Sequence, residues 1–247
     1  VNIKGRKGIE VFARDEHNRP ETTAESLAKL KPAFRKDGTI TTGNAPGLNS
    51  GAAAMIVAEH AWAERHGIEP MARLVAYGVG GVEPGFFGLG PVPAVRQALA
   101  RAGWSVADVE RIEINEAFAA ITLACLRELG FAEDVANVEG GAIAHGHPIG
   151  ATGAVLATRL LHSLRRDGLK RGGVAPCIGG CQGIALMVES LWKSLCSTKP
   201  TGIPSWIVSP SNATRCGFTW RRSSAACWWG VHGLASITPS RPCSGRL

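Results

Sequence analysis

The order of elements along this 247-residue chain predicts a layered α/β domain. Short apolar strands alternate with amphipathic helices between about residues 73 and 188. Glycines at Gly67 and Gly103 stand where two of the helical patterns end, the usual place for a left-handed closing residue. Ahead of the longest helix lies a stretch over 137–154 that holds five glycines, two histidines and one proline. Glycine at that density lets the backbone turn sharply and lets other groups come close to it. Pro148 fixes the way in which His147 is presented.

Residues 1–37 read as polar and irregular, with a turn at Asp15-Glu16-His17-Asn18-Arg19-Pro20. A short helix over 23–30 follows the hydroxyls of Thr22 and Thr23, either of which suits an N-cap. The stretch 38–44 reads as a β-segment closing in a turn, and 52–65 as a helix whose alanine-rich start allows close packing. A strand over 73–79 leads to a helix over 93–102. A strand over 109–114 runs straight into Asn115-Glu116-Ala117-Phe118, which opens a helix reaching about 129. The helix over 152–166 carries Leu156, Leu160 and Leu164 on one stripe and basic residues in its last turn, as the helix dipole favours. A strand over 174–178, a turn over 179–183 and a strand over 184–188 complete the order.

An apolar fraction of 45% is ordinary for a soluble globular chain, and no run of about 18 apolar residues predicts a membrane span. The net charge of +7 points to nucleic acid only until its distribution is read. Residues 1–191 hold 20 basic and 20 acidic side chains, whereas 192–247 hold 7 basic and no acidic ones. A neutral body lacks the shaped basic face that clustered phosphate contacts need, so nucleic acid is not the expected partner. The seven cysteines divide into Cys125, Cys177 and Cys181 in the body and Cys196, Cys216, Cys227 and Cys243 beyond it. An odd number at irregular spacing is no disulfide framework, and a reducing, cytoplasmic setting is expected. The chain opens without an initiator methionine or the apolar core of a signal peptide and reads as the inside of a longer protein. Residues 192–247 carry five of the seven tryptophans and no helical or strand period. They read as a basic tail that is disordered, out of frame or an interaction segment.

Three polar groups fall at strand ends or turns: Asn115, His147 and Cys177. Ligands of α/β sheets bind beyond such ends. A thiol, an imidazole and an amide suit covalent acyl chemistry, with backbone N–H groups of the Gly179-Gly180 turn completing an oxyanion hole. Each also has a plainer reading. A strand cysteine is commonly a core residue, Asn115 stands where a helix cap would, and His145 with His147 or Cys177 with Cys181 stand at spacings that metal ligands use. No third ligand lies nearby in sequence, so no metal is expected. Spacing alone does not choose a reaction.

Three motifs narrow the reading: Asn115-Glu116-Ala117-Phe118-Ala119, the 140–153 stretch with Gly146-His147-Pro148, and Cys177-Ile178-Gly179-Gly180. In order and spacing they resemble the C-terminal signatures of the thiolase family. The resemblance extends from residue 1 to about 191 and includes Lys4-Gly5-Arg6-Lys7-Gly8 and Gly43-Asn44-Ala45-Pro46-Gly47-Leu48-Asn49. It implies the end of a loop domain over 1–48, a C-terminal domain with a mixed sheet between helices over 49–191, and a non-family tail over 192–247. It further implies a CoA-dependent acyltransferase that cleaves a 3-ketoacyl-CoA or condenses two acetyl-CoA molecules, a reaction of fatty acid metabolism, with a homo-oligomer as the full-length form. CoA and acyl-CoA would be substrates, and no permanently bound cofactor is implied. By the same resemblance His147 would activate a nucleophilic cysteine and hold a thioester oxyanion, with Asn115 positioning a water beside it. Cys177 would be the acid/base, and the Gly179 N–H would serve a second oxyanion hole. Arg19 and Ser26 would lie near the CoA nucleotide and pantetheine, Ala117 and Phe118 along the pantetheine tunnel, and Phe87 at the acyl pocket.

The sequence also departs from that family pattern. The nucleophilic cysteine would belong to an N-terminal half outside these residues, and Cys125 does not replace it by position. Pro46 stands where a pantetheine-contacting serine is usual. Pro176 removes an N–H from what reads as a central strand, and Cys181 replaces a turn glycine. A fragment without turnover of its own is therefore expected, and a non-catalytic CoA-binding or subunit-interaction module is the alternative.

Overall fold

The computed structural model describes residues 1–6, 8–14 and 17–192; the expectations for the tail beyond Trp192 lie outside the described residues. Alternation along β7 (Gln182–Ser190) sorts the molecule into layers. Ala185 and Met187 pack into one buried cluster, while Leu186 and Val188 pack against another. β7 pairs antiparallel with β3 (Ala72–Gly81) on one side and with β5 (Arg171–Ala175) on the other, and β4 (Arg111–Ile114) runs parallel to β5. The sheet is mixed, in the order β3-β7-β5-β4, with the two-residue β6 (Cys177–Ile178) also on β7.

Helix α3 (Pro91–Ala102) and helix α4 (Ala119–Leu129) cover one face of the sheet. Val92, Ala94, Val95, Ala98 and Leu99 of α3 meet Ile112, Ile114 and Ala175 there. The approach of α3 to β3 is closest at Gly78, where a Cβ would run into the Ala94 carbonyl, so the strand needs glycine at that point. Helix α6 (Thr152–Asp167) lies on the opposite face, with Leu156, Ala157, Leu160 and Leu164 against Val174. The leucine stripe read from the sequence is this buried face. Parallel strands need a long crossover, and α4, the one-turn α5 (Ala142–His145) and α6 together form it between β4 and β5.

Pro176 sits where the sequence warned of a broken ladder, and the break is real but short. The register of β5 on β7 continues unchanged into β6, where Cys177 faces Gly183. Pro176 lies between the two strands and keeps the line by accepting a 3.2 Å hydrogen bond from the Ile184 N–H. Beyond Ile178 the chain turns through Gly179, Gly180 and Cys181, and Ile178 pairs with Gln182. Gly180 and Cys181 both take left-handed backbone, with φ of 77° and 60°.

The segments before the sheet depart most from the sequence reading. β1 (Asn2–Gly5) and β2 (Gly8–Val11) pair as exposed antiparallel strands, where an irregular polar stretch was expected. Helix α1 spans Ala24–Ala28, and Thr23 caps it in a capping box with Ser26. The 38–44 stretch turns as expected but joins no sheet. Asn44 takes its hydrogen bonds instead, accepting from the Thr41 N–H and donating to the Thr39 carbonyl, both at 2.8 Å. The helix expected over 52–65 is only α2 (His60–Arg65). Ile56 and Val57 ahead of it are 95% and 84% exposed, and without packing on an apolar face so short a helix does not hold. Helix α4 begins four residues later than expected, which frees Asn115 from any capping role.

Cys181 is one of two non-glycine residues with positive φ among the described residues. Cys181→Gly is therefore expected to stabilise the chain by about 1 kcal/mol in urea unfolding, because left-handed backbone strains a residue with a Cβ. A destabilised variant would show that the thiol makes a contact worth more than the strain.

Candidate active site

The end of β4 organises the site. Ile114 is its last residue, and the chain continues as Asn115-Glu116-Ala117-Phe118 before α4 starts. β5 lies on one side of β4, and the chain at Ala136 bridges to Ile112 on the other. The Asn137 amide then stands in for a strand. Its Oδ1 accepts from the Ile114 N–H at 2.8 Å, and its Nδ2 donates to the Ile114 carbonyl at 2.9 Å. Asn137 is buried with φ of 46°, a left-handed conformation that asparagine tolerates better than most residues.

Glu116 fastens this turn to the glycine-rich stretch. Its carboxylate accepts from Asn137 Nδ2 at 3.1 Å and from the Ile143 N–H at 3.0 Å, at the start of α5. Gly141 lets the carboxylate come this close, since a Cβ there would collide with it. Two residues beyond α5, the His147 N–H meets Asn49 Oδ1 at 3.2 Å and the Gly47 carbonyl at 3.3 Å. The His147 ring hydrogen-bonds through Nδ1 to Thr152 Oγ1 at 2.8 Å.

Asn115 is 1% exposed, and its N–H donates to the Ala175 carbonyl at 3.3 Å, next to Pro176 and Cys177. Its side-chain amide acts on the Cys177 thiol and holds that pKa down against burial. The Asn115 Oδ1 is buried with no protein partner among the described residues. A buried acceptor left open in this way suits a donor from a ligand or solvent. Gly179 lies two residues past Cys177 with nothing near the position of a Cβ, so its backbone faces open space.

Burial sets the protonation of these groups. It pushes the Cys177 thiol above its ordinary value, partly offset by the Asn115 amide and by Cys177's own N–H. Cys125 is pushed further, to about 12, first by burial and then by Cys177. With its thiol donating to the Gly88 carbonyl at 3.3 Å, Cys125 is an inert core residue. Burial, and after it the neighbouring His145, lowers the His147 pKa. At neutral pH the site therefore presents the Cys177 thiol and a neutral imidazole.

The structure brings together Asn115 and Cys177, with Gly179 at the same strand end. It joins His147 to them through the Glu116 carboxylate and α5, not through a hydrogen bond from the imidazole. Ala117 packs on the core, and Phe118 meets Phe34 and Phe87 edge-on at centroid distances of 5.7 and 6.4 Å. Phe118 also adjoins the 43–49 segment, since the Ala119 N–H donates to the Asn44 carbonyl at 3.0 Å. Arg19 and Ser26 lie on the exposed N-terminal segment, and the Ser26 hydroxyl is engaged in the α1 capping box. No group of three or more metal-ligating side chains occurs among the described residues. Sequence reading missed Glu116, Asn137, Asn49 and Thr152. Each stood inside a stretch singled out there, Glu116 and Asn49 in quoted motifs and Asn137 and Thr152 in the glycine-rich stretch, but none was given a role.

With this geometry in place, the match to known families is direct. The thiolase C-terminal domain model covers residues 68–190, and the thiolase N-terminal domain model covers residues 1–61. The chain belongs to the thiolase family. An acetyl-CoA acetyltransferase of Rhizobium meliloti (strain 1021) is 51% identical over 189 residues, 76% of this chain and 48% of that protein. An acetyl-CoA acetyltransferase of Escherichia coli (strain K12) is 49% identical over 191 residues, 77% of this chain and 48% of that protein. The crystal structure of the Bacillus anthracis acetyl-CoA acetyltransferase superposes with a TM-score of 0.72 at 48% identity, over 77% of this chain and 48% of the other. Human mitochondrial 3-ketoacyl-CoA thiolase in complex with CoA gives a TM-score of 0.67 at 45% identity, over 76% and 47% of the two chains. The chain spans about half the length of the relatives it matches.

A second acid lies behind the site. Glu113 alternates with Ile112 and Ile114 along β4, points to the α6 side and is completely buried. Burial pushes its carboxyl up to about 7, against the pull of Arg159, whose Nε is 3.7 Å away, and of Arg111. Its folded pKa lies above its unfolded value near 4.5, so it favours the fold fully below pH 4.5 and loses that contribution as pH rises through 7. Relative to Glu113→Gln, the unaltered chain is expected to lose stability across that window, by an amount on the order of 3 kcal/mol in denaturant titrations. Parallel pH profiles of the two chains would contradict this.

Proposed function

We propose that this chain supplies the proton-handling and CoA-facing part of a thiolase-type acyltransferase acting on 3-ketoacyl-CoA or acetyl-CoA. The observation that carries the reading is the buried Asn115 amide, its Oδ1 left open, at the strand end shared with the half-buried Cys177 and the exposed Gly179. A thiol raised by burial holds its proton at neutral pH and can deliver it to a carbanion. In thiolysis, a cysteine thiolate outside these residues attacks the 3-keto carbonyl, and the bond to the α-carbon breaks. Its electron pair passes to the departing acetyl-CoA enolate, and the Cys177 proton moves to that carbon. The thiol of a second CoA then attacks the acyl-cysteine and gives its proton to the Cys177 thiolate. The neutral His147 accepts the proton of the nucleophilic cysteine and afterwards donates to the thioester oxyanion. Asn115 holds a water for the same oxyanion, and the Gly179 N–H serves the enolate oxygen.

Phe118, packed between Phe34 and Phe87, supports a pantetheine channel lined by Ala117 and Phe118. Arg19 and Ser26 are proposed toward the nucleotide end. The described residues include no helix long and apolar enough to cross a membrane, and the cytoplasm is the proposed location. A homo-oligomer is proposed for the full-length form, over the domain division 1–48, 49–191 and 192–247. A second reading, a non-catalytic CoA-binding or subunit-interaction module, is favoured by the open apolar side chains Ile56, Val57, Tyr77 and Val79.

Calorimetric titration of the 247-residue chain with CoA is expected to give a Kd below about 1 mM, weakened about tenfold by Phe118→Ala. No heat of binding would overturn the CoA reading. With acetoacetyl-CoA and CoA the same chain is expected to show no thiolysis, because the proposed nucleophile is not among its residues. Turnover would mean that one of its own cysteines, with Cys177 the first to test, does that work.

A further inference from the structure

Strand β3 is ten residues long and ends the sheet, pairing with β7 along one side. Leu74, Tyr77 and Val79 are exposed along it. A long apolar edge strand of this kind offers its outward N–H and C=O groups to any strand that comes alongside. On β3 two of those groups are already taken, both by side chains of α3. The Val79 N–H donates to Gln97 Oε1 at 3.0 Å, and the Tyr77 carbonyl accepts from Arg101 Nη1 at 2.8 Å. An N–H carries one proton, so the Val79 group points away from β7, and Tyr77, two residues earlier, shares that side.

Arg101 also closes the edge by its bulk. Ala76 belongs to the buried cluster under α3, and Gly78 lies against the Ala94 carbonyl, so the Tyr77 side chain stands on the opposite face of the sheet. The Arg101 guanidinium nevertheless sits 5.1 Å from the centre of the Tyr77 ring. A side chain that starts on α3 and reaches that ring crosses the rim of β3. It fills the lane, about 4.8 Å out from β3, that the backbone of an added strand would take. The register on β7 also slips at Val75, between Leu74 and Ala76, and such a bulge twists an edge away from a flat partner. We infer that Gln97 and Arg101 are gatekeepers that shut the free edge of β3 against pairing with a second copy of this chain. Without them, a two-fold axis lets β3 meet β3 antiparallel. With them, pairing breaks two hydrogen bonds and strips water from a guanidinium. The inference concerns the edge of the sheet, and the open side chains of Tyr77 and Val79 on its face stay available to other partners.

The test is residue-resolved amide hydrogen exchange of the whole chain at low and at high concentration. In the unaltered chain the Val79 amide is expected to be equally protected at both, and the Tyr77 amide to exchange freely at both. In dilute Gln97→Ala the protection of Val79 is expected to fall about tenfold, the effect of losing one hydrogen bond. Gln97→Glu keeps an acceptor oxygen and is expected to keep Val79 protected. In the double variant Gln97→Ala with Arg101→Ala, the Tyr77 and Val79 amides are expected to gain protection together as concentration rises. These two amides report the β3 edge itself, so association through another face does not mimic the result. Concentration-dependent protection of Tyr77 in the unaltered chain, or none in the double variant, overturns the inference. If the double variant does not fold, Arg101→Ala alone takes its place and is read in the same way. None of these readouts involves CoA, so a chain that binds no CoA would sink the proposed function and leave the edge result standing.

Discussion

The last residue of β4 has two backbone groups to satisfy on the side away from β5, and one side chain satisfies both. Asn137 closes the edge at Ile114 with its own amide, and its remaining N–H reaches Glu116. Leaving a buried N–H and C=O unpaired costs about 1–3 kcal/mol each, so this single residue holds an unusual share of the local order. Glu116 passes that order on to α5, and α5 leads to His147. The contacts of Asn115 and the approach of His147 are thus set by the same carboxamide, which is itself absent from the chemistry.

Charge is handled in the same sparing way. Cys177 and His147 stand in a region where burial penalises the charged form, which leaves a thiol and an imidazole neutral at rest. The Asn115 amide and Cys177's own N–H offset burial at the thiol, and His145 adds to it at His147. A neutral resting site of this kind suits chemistry in which charge appears only on the way to a thioester intermediate, where preorganised donors are worth most. The nearest carboxylate on the other face of β4, Glu113, is pushed up to about 7 by burial, against the pull of Arg159 at 3.7 Å.

Much of the layer order was legible in the sequence because period tells strand from helix. The leucine stripe of α6, the glycine stop after α3 and the break at Pro176 all follow from local rules, and the structure keeps them. The three motif residues were legible as a group for a different reason, since their order matches a family pattern. What was not legible depends on partners distant in sequence. Asn137 acts on a strand 23 residues earlier, and Asn49 reaches His147 across 98 residues. No periodicity reports such contacts. The segment over 52–59 failed in the opposite sense: its pattern is helical, but Ile56 and Val57 have nothing to pack on, and pattern without burial does not hold a helix.

One buried amide, that of Asn137, couples the β4 turn to the histidine-bearing stretch. Residue-resolved amide hydrogen exchange in an Asn137→Ala chain tests it most directly. The Ile114, Ile143 and His147 amides are expected to lose protection together, while those of α3 and β3 keep theirs. Loss confined to Ile114, with Ile143 and His147 unchanged, would contradict it and leave the histidine held by its own turn alone.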